Sequence, residues 1–422
     1  MKTAYFYSLP GGSHNKPACA GILIDGKTTI YDLFRPNQGT PYRVCKENVS
    51  NIRSFLLKLS ERNVRIVCSD FKRVIKDYSL PIDNRRYSAY DLHLYKQLAN
   101  IKSVGNQAKD HEIIRRVLDR MGRSEVLPYQ NIIANAAVVY SSIEDRGITV
   151  NDLPQYPNWS LDTYSGRSKC TGFNIQGHST VDLVSVPEMT NVALLHFDWI
   201  AADIRVAALL SNDEKLAASF MASDPYTHMC DMINASGSGE LISRDECKLA
   251  LLKAINSMDI GGIVLSKIYP QLGKWITSLK DKMHSENGEV ETMLGRKFIL
   301  SQSKNALAVL NGVMQGSVVH AMQLILRRIW ERLGQYILAE IHDSLVMCVP
   351  RDPSIIKSVI SIVSDIMTHP FRDVISHDPF FPIKVSIGKK WKDWKLYDTY
   401  RSEGVIRGWE KDQTQLIEAV KG

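Results

Sequence analysis

Hydrophobic and polar positions change rhythm several times along the chain. Residues 3–9, 20–24 and 28–34 are rich in β-branched and aromatic residues, with turn signals at Gly11-Gly12 and Asp25-Gly26, and predict three strands. Ile52, Phe55, Leu56 and Leu59 recur at helical spacing over 51–62; 64–68 is a β-branched strand, and 71–78 a further helix closed by Pro81. The helix 111–121 carries Arg115, Arg116 and Arg120 for a polar face, and 128–145 is a largely apolar helix stopped at Gly147. The polar, proline-bearing stretch 151–163 reads as a linker.

Beyond it the pattern becomes rich in core. Residues 192–197 predict an apolar strand ending at Asp198, followed by a helix over 201–210. Residues 244–259 are helical up to Gly261-Gly262, 289–294 and 297–300 form a hairpin about Gly295, and 313–333 is one long helix. Two strands, 336–341 and 345–349, flank a tight turn at His342-Asp343-Ser344; a helix over 353–367 and a strand over 381–386 follow.

Composition narrows the class. A length of 422 residues predicts two or three domains. Apolar (44%) and charged (23%) fractions are those of a soluble globular chain and argue against disorder. No apolar run reaches membrane-spanning length, and the opening apolar run breaks too early for a signal peptide, so a cytoplasmic protein without membrane attachment is expected. The net charge of +7 suits nucleic acid without requiring it. The seven cysteines are widely spaced with no C-x-x-C, which argues against a disulfide framework or a zinc site.

Asp198 and Asp343 stand at the ends of apolar strands. A carboxylate there must be solvated, paired or bound to a cation, because burying it alone is very costly. Brought together, two such groups can hold two Mg²⁺ ions roughly 3.5–4 Å apart, the arrangement used for phosphoryl and nucleotidyl transfer. Taken singly, Asp198 reads equally as a helix N-cap and Asp343 as a turn residue.

An ordered set of short motifs surrounds the pair. Gly166-Arg167 precedes Phe173-Asn174-Ile175-Gln176. Phe197-Asp198-Trp199 leads to Asp203 and Arg205, and Asp224-Pro225-Tyr226-Thr227 follows. Leu249, Lys253, Ser257 and Gly261-Gly262 recur every fourth residue. Thr292-Met293-Leu294-Gly295-Arg296-Lys297, Asn311-x-x-x-Gln315-Gly316-Ser317, Ile341-His342-Asp343-Ser344 and Pro382…Gly388-x-x-Trp391 complete the series. From about Gly166 to Trp394 this series resembles the family A DNA polymerases, the DNA polymerase I family.

The resemblance implies an α+β and α/β multidomain chain with a right-hand polymerase palm and reduced helical fingers, preceded by a ribonuclease H-like α/β exonuclease remnant. Its expected limits are 1–105 for the remnant, 106–165 for a helical connector in place of the thumb, 166–240 and 301–400 for the two parts of the palm, 241–300 for the fingers, and 401–422 for a tail. It implies template-directed transfer from dNTPs to a primer 3′-OH, with two Mg²⁺ ions (or Mn²⁺) on Asp198, Asp343 and the Trp199 carbonyl. Lys253 is implied as the triphosphate contact and a catalytic residue, and Asp203, Tyr226, Ser257 and Gly261 as nucleotide contacts. Arg167, Asn174, Gln176, Arg296, Lys297, Asn311, Gln315 and His342 are implied as contacts to primer–template, and Arg205 as a palm support through a buried ion pair.

Departures from the family pattern carry expectations of their own. Leu249 stands where the family has arginine and Tyr226 where it has histidine; Arg244 and Lys248 lie off the helical face of Lys253, so weaker nucleotide affinity is expected. Asp203 in place of glutamate, with Ser257 and Gly261 in place of aromatics, points to relaxed sugar discrimination. The first strand, 4–9, lacks the Asp-x-Glu of a working proofreading site, leaving Asp70 and Asp91 ordinary. Only 18 residues separate Ile148 from Gly166, too few for a helical thumb. Low processivity and a partner protein supplying the grip follow. Two alternatives share these residues: a catalytically weak nucleic-acid-binding accessory subunit, and a polymerase or primase that accepts rNTPs.

Overall fold

The structure is a computed structural model of the whole chain. It describes residues 3–11, 16–24, 27–32, 34–37, 40–44, 50, 52–54, 56, 65–68 and 89–91, and then 128–400 except 162, 164, 221–224, 237–240, 258–262, 284–287, 300–305, 373 and 376–378. Asp70, Gly261, Gly262, the expected helices 71–78 and 111–121 and the tail 401–422 lie outside the described residues. The chain divides into two compact units, Met1–Ser142 and Ile143–Gly422, the boundary falling inside the helix α1 (Pro128–Arg146).

The first unit carries β1 (Thr3–Gly11), β2 (Lys16–Ile24), β3 (Lys27–Asp32), β4 (Phe34–Asn37), β5 (Thr40–Val44), β6 (Arg65–Cys68) and β7 (Ala89–Asp91). Its five-stranded sheet has the order β3-β2-β1-β6-β7. β1, β2 and β3 form an antiparallel meander, whereas β6 and β7 run parallel to β1, with Ala4 opposite Ile66 and Ile66 opposite Ala89.

The second unit begins with β8 (Ile148–Val150), β9 (Leu153–Gln155), β10 (Pro157–Ser160), β11 (Lys169–Gly172) and β12 (Val184–Ser185). The stretch expected as a linker is therefore folded. Trp159 is fully buried, and its backbone N–H donates to Glu144 Oε1 at 2.5 Å, which fastens β10 to the end of α1. One turn on, the Arg146 guanidinium donates to the carbonyls of Gly334, Gln335 and Ile337.

The central sheet has the order β16-β17-β13-β18-β19 and is antiparallel throughout. Its strands are β13 (Val192–Trp199), β16 (Ile337–Ile341), β17 (Ser344–Pro350), β18 (Ile383–Gly388) and β19 (Trp394–Tyr400), the last of which the sequence pattern did not suggest. Leu195, Phe197 and Trp199 of β13 and Ile383, Val385 and Ile387 of β18 alternate onto one face and are buried. The helix α9 (Pro353–Thr368) packs beside them: Ile356, Val359, Ile360, Val363 and Met367 form its apolar stripe, and Trp199 Nε1 donates to Met367 O at 2.8 Å. Asp352 caps that helix, accepting from the Ser354 and Ile355 amides.

Between β13 and β16 the chain supplies a helical layer: α2 (Ala202–Ser211), α3 (Glu214–Ser219), α4 (Pro225–Ala235), α5 (Arg244–Ser257), α6 (Ile263–Ile268), α7 (Pro270–Met283) and α8 (Ala306–Leu333), with the hairpin β14 (Glu289–Glu291) and β15 (Lys297–Ile299) before α8. Their shared core includes Ile204, Leu216, Phe220, Met229, Leu251, Tyr269, Leu272, Phe298 and Val313. The buried Asp213 ties two helix starts together: Oδ1 accepts from Leu216 N and Oδ2 from Gln271 N and Leu272 N, each at 3.0 Å. No helix among the described residues is long and apolar enough to cross a membrane.

Candidate active site

Strand register brings the two aspartates together. Asp198 lies opposite Ser344 across the β13–β17 ladder, and Trp199 N donates to Asp343 O at 3.3 Å, which sets Asp343 diagonally beside Asp198. Asp198 sits inside the strand rather than after it, because Trp199 still pairs with Ile383 of β18. Both aspartates adjoin left-handed backbone at residues other than glycine: Ala201 (φ 54°), which precedes α2, and His342 (φ 60°), the first turn residue before Asp343. Such conformations cost free energy and are concentrated where a site requires them.

The aspartates line an open cavity of about 290 Å³ together with Trp199, Ala201, Asp203, Tyr226, Arg244, Lys248, Leu252 and Lys384. Burial, and then repulsion from Asp343, push the Asp198 carboxyl up to about 7. Burial also raises Asp203, against the opposing effect of Arg167; its Oδ1 is buried with no hydrogen-bond partner among the described residues. Opposing this acidic wall, the Arg244 guanidinium and the Lys248 ammonium both lie over the Tyr226 ring, at 5.3 and 5.4 Å from its centroid. Lys384, directly across the β13–β18 ladder from Asp198, is the third cation of the cavity.

Such a donor set suits a hard divalent cation. Mg²⁺ is typically held by one or two carboxylates together with water and substrate phosphates, and two adjoining carboxylates with a third buried carboxylate oxygen supply that chemistry. Among the described residues no cluster of three or more His, Cys, Asp or Glu converges as a closed metal cage, so Asp198 and Asp343 are the protein's principal donors.

The other residues singled out from sequence divide sharply. Tyr226 and Asp203 line the cavity, whereas Lys253 is exposed on α5 and does not. Arg244, Lys248 and Leu252 succeed one another every fourth residue along one face; Lys253 lies about 100° around from Leu252. The expected frame of α5 is thus displaced by five residues: Leu249 is 67% exposed, and Arg244 with Lys248 presents the cations. The weaker nucleotide affinity expected from Leu249 loses its premise, since two cations do face the cavity. The side chain of Ser257 and that of Asn311 lie outside the described residues; Gln315 is half-buried on α8.

Several expected contacts to nucleic acid are occupied within the fold. The Gln176 side-chain amide donates to Ser168 Oγ at 2.8 Å and accepts from Cys170 N at 2.9 Å. Arg296 is buried over the Phe298 ring and stands so close to Gly166 that a Cβ there would meet its Nη1 at 2.6 Å. Lys297 is exposed and pairs with Glu289 across the hairpin at 2.9 Å. Asn174 is exposed and accepts from Gly177 N. Arg167 is half-buried near Asp203, and His342 is exposed on the turn. Arg205 is buried, donates to Ala217 O and lies 5.2 Å from the Phe220 centroid.

Arg244, Lys248, Leu252 and Lys384 were not singled out as site residues by the motif reading. The basic pair at four-residue spacing was visible in the sequence. The position of Lys384 opposite Asp198 depends on strand register, which no local motif reports.

The architecture defines a class: an antiparallel sheet bearing paired carboxylates at its centre, beside a helical layer that faces them with cations. No family model matches the chain, and no curated protein matches it. Among solved structures the chain is similar to the POL domain of Pol1 from M. smegmatis in complex with DNA primer-template and dNTP, with a TM-score of 0.61 and 12% identity, covering 92% of this chain and 95% of that one. At this identity the likeness is one of fold: this chain is a mixed α/β protein structurally similar to a family A polymerase domain.

Proposed function

We propose that the chain is a template-directed DNA polymerase that adds nucleotides from dNTPs to a primer 3′-OH. One observation carries the reading: β13 and the β16–β17 turn deliver Asp198 and Asp343 into a single cavity whose opposite wall presents Arg244 and Lys248. A fold similar to a polymerase domain supports it.

Asp198 and Asp343 would hold divalent metal, Mg²⁺ or Mn²⁺, which when bound lowers the pKa of the attacking hydroxyl and stabilises the leaving oxygen. Arg244 and Lys248 bind the triphosphate and offset the charge developing on it. The Tyr226 ring fixes both cations by cation–π contact. Asp203, with Leu252 beside it, walls the sugar side of the cavity; the short aspartate is the basis for inferring relaxed exclusion of ribonucleotides.

We read the first unit as a remnant of an exonuclease domain. Its sheet joins a three-stranded meander to two parallel strands, and β1 carries no acid. The described residues from Ile148 to Arg167 form short strands and no helix, which supports a polymerase lacking a helical thumb there, weak in its grip on DNA and reliant on a partner for processivity. The domain limits drawn from the motifs are part of the same proposal.

Primer extension with dNTPs and, separately, rNTPs in Mg²⁺, alongside Asp343→Asn, tests the reading. Extension by the wild type and none by the variant is the expected result. A well-folded wild type that binds primer–template but never extends it identifies an accessory subunit instead.

A further inference from the structure

The central sheet has a second face, opposite the one beside α9. Alternation along β13 puts His196 on the same side as Asp198, and neither is fully buried. Register carries that side across β18, where Lys384 lies opposite Asp198 and Ser386 opposite His196. It continues onto β19, with Leu396 opposite Ser386 and Trp394 opposite Gly388. Along this face the Trp394 and His196 rings stack, 4.7 Å between centroids and 14° from parallel. Leu396 beside them is 63% exposed, a large apolar side chain presented to solvent next to a catalytic carboxylate.

We infer that this face, formed by Lys384, His196, Trp394 and Leu396, is the track for the 3′-terminal nucleotides of the primer strand. The inference rests on the polymerase reading and extends it. The direction follows from the layout of the cavity. Arg244, Lys248 and Tyr226 lie beyond the C-terminal end of β13, so the incoming triphosphate occupies that side of Asp198. In-line transfer places the attacking 3′-OH opposite the leaving group. The strand bearing that hydroxyl must then run back along β13, over His196. A step of two residues is about 7 Å, equal to about two nucleotide rises of a duplex strand. His196 and Leu396 thus underlie the second or third nucleotide from the primer end.

The chemistry of the face matches that occupant. Exposed Lys384 offers a cation to a backbone phosphate adjoining the carboxylates. The stacked pair and Leu396 offer a flat apolar surface to sugars and base edges, a combination that grips a strand without reading its sequence. β19 contributes two of the four residues. A strand at the sheet edge thereby adds contact area to the DNA where a thumb is not available to supply it.

The test uses the full chain with p-benzoylphenylalanine in place of Leu396 and a primer–template whose strands carry different labels. Irradiation is expected to crosslink the primer strand within its last few nucleotides. Crosslinking to the template strand, or to neither strand in a protein that still extends primer, overturns the track and leaves the polymerase reading intact. If the wild type neither binds nor extends primer–template, that reading fails and the track with it. Leu396→Asp, at an exposed position that does not threaten folding, supplies the second measurement. It is expected to raise the Kd for primer–template about tenfold, with a far smaller change in KM for dNTP. An unchanged Kd for primer–template overturns the inference.

Discussion

Which cation on α5 meets the substrate separates the structure from the motif frame. In the structure Lys248 lines the carboxylate cavity over Tyr226, while Lys253 is exposed away from it. An ammonium about 4 Å from a phosphate oxygen interacts by about 4 kcal/mol at an effective dielectric of about 20. Water filling the space left by a neutral side chain recovers part of this, and loss of one positioned donor commonly costs about 10²–10³ in rate. Lys248→Gln is therefore expected to lower kcat/KM for dNTP about 10²-fold, or about 2.7 kcal/mol of transition-state stabilisation. Lys253→Gln, an exposed substitution, is expected to change it about twofold at most. Single-nucleotide insertion at saturating primer–template, with both variants checked for folding by circular dichroism, measures the contrast. A larger loss for Lys253→Gln than for Lys248→Gln refutes the five-residue displacement of the frame and restores the motif assignment.

Three further outcomes follow from the same coordinates. Asp198→Asn is expected to abolish extension while raising the Tm of the metal-free protein at neutral pH, because it removes a carboxylate disfavoured by burial and by Asp343; Mg²⁺ should raise the Tm of the wild type more than that of the variant. Asp213→Ala leaves three amides at two helix starts without their acceptor, and chemical denaturation should show a loss of about 2–4 kcal/mol with activity falling only as the fold does. His320, fully buried on α8, has its pKa lowered to about 3, first by burial and then by Arg296. The unfolded chain then binds more protons between about pH 6.5 and 3, so stability present above 6.5 is lost as pH falls through that window; the Tm of His320→Gln should fall less steeply over pH 6.5–4.5.

The carboxylates were legible in the sequence because each follows from a strong local signal, an apolar strand interrupted by an acid. The long helix α8 and the α9 stripe were legible for the same reason, since burial on one face repeats at 3.6 residues. The frame of α5 was not. Its apolar pattern is weak, so four-residue motif matches beginning at Arg244 and at Leu249 compete on equal terms, and only packing against Tyr226 selects the first. The stretch 151–163 read as a linker because its residues are polar and its strands are three or four residues long. The burial of Trp159 depends on Glu144, which the sequence does not link to it. Lys384 and β19 acquire meaning only through cross-strand register.

The charges of the cavity bear on the catalytic reading directly. Asp198, Asp343 and Asp203 face Arg244, Lys248 and Lys384, three acids against three bases. A structural ion-pair network with this balance would join the two sets tightly and hold its carboxylates ionised. Here Asp198 is pushed up to about 7, and one oxygen of Asp203 has no hydrogen-bond partner among the described residues. Two of the bases rest instead on the face of Tyr226. The carboxylates are thus held together against their own repulsion while the cations are held across the cavity from them. That separation stabilises nothing in the empty protein. It becomes favourable when a divalent cation meets the acids and a polyphosphate meets the bases, which is the ligand pair that nucleotidyl transfer brings.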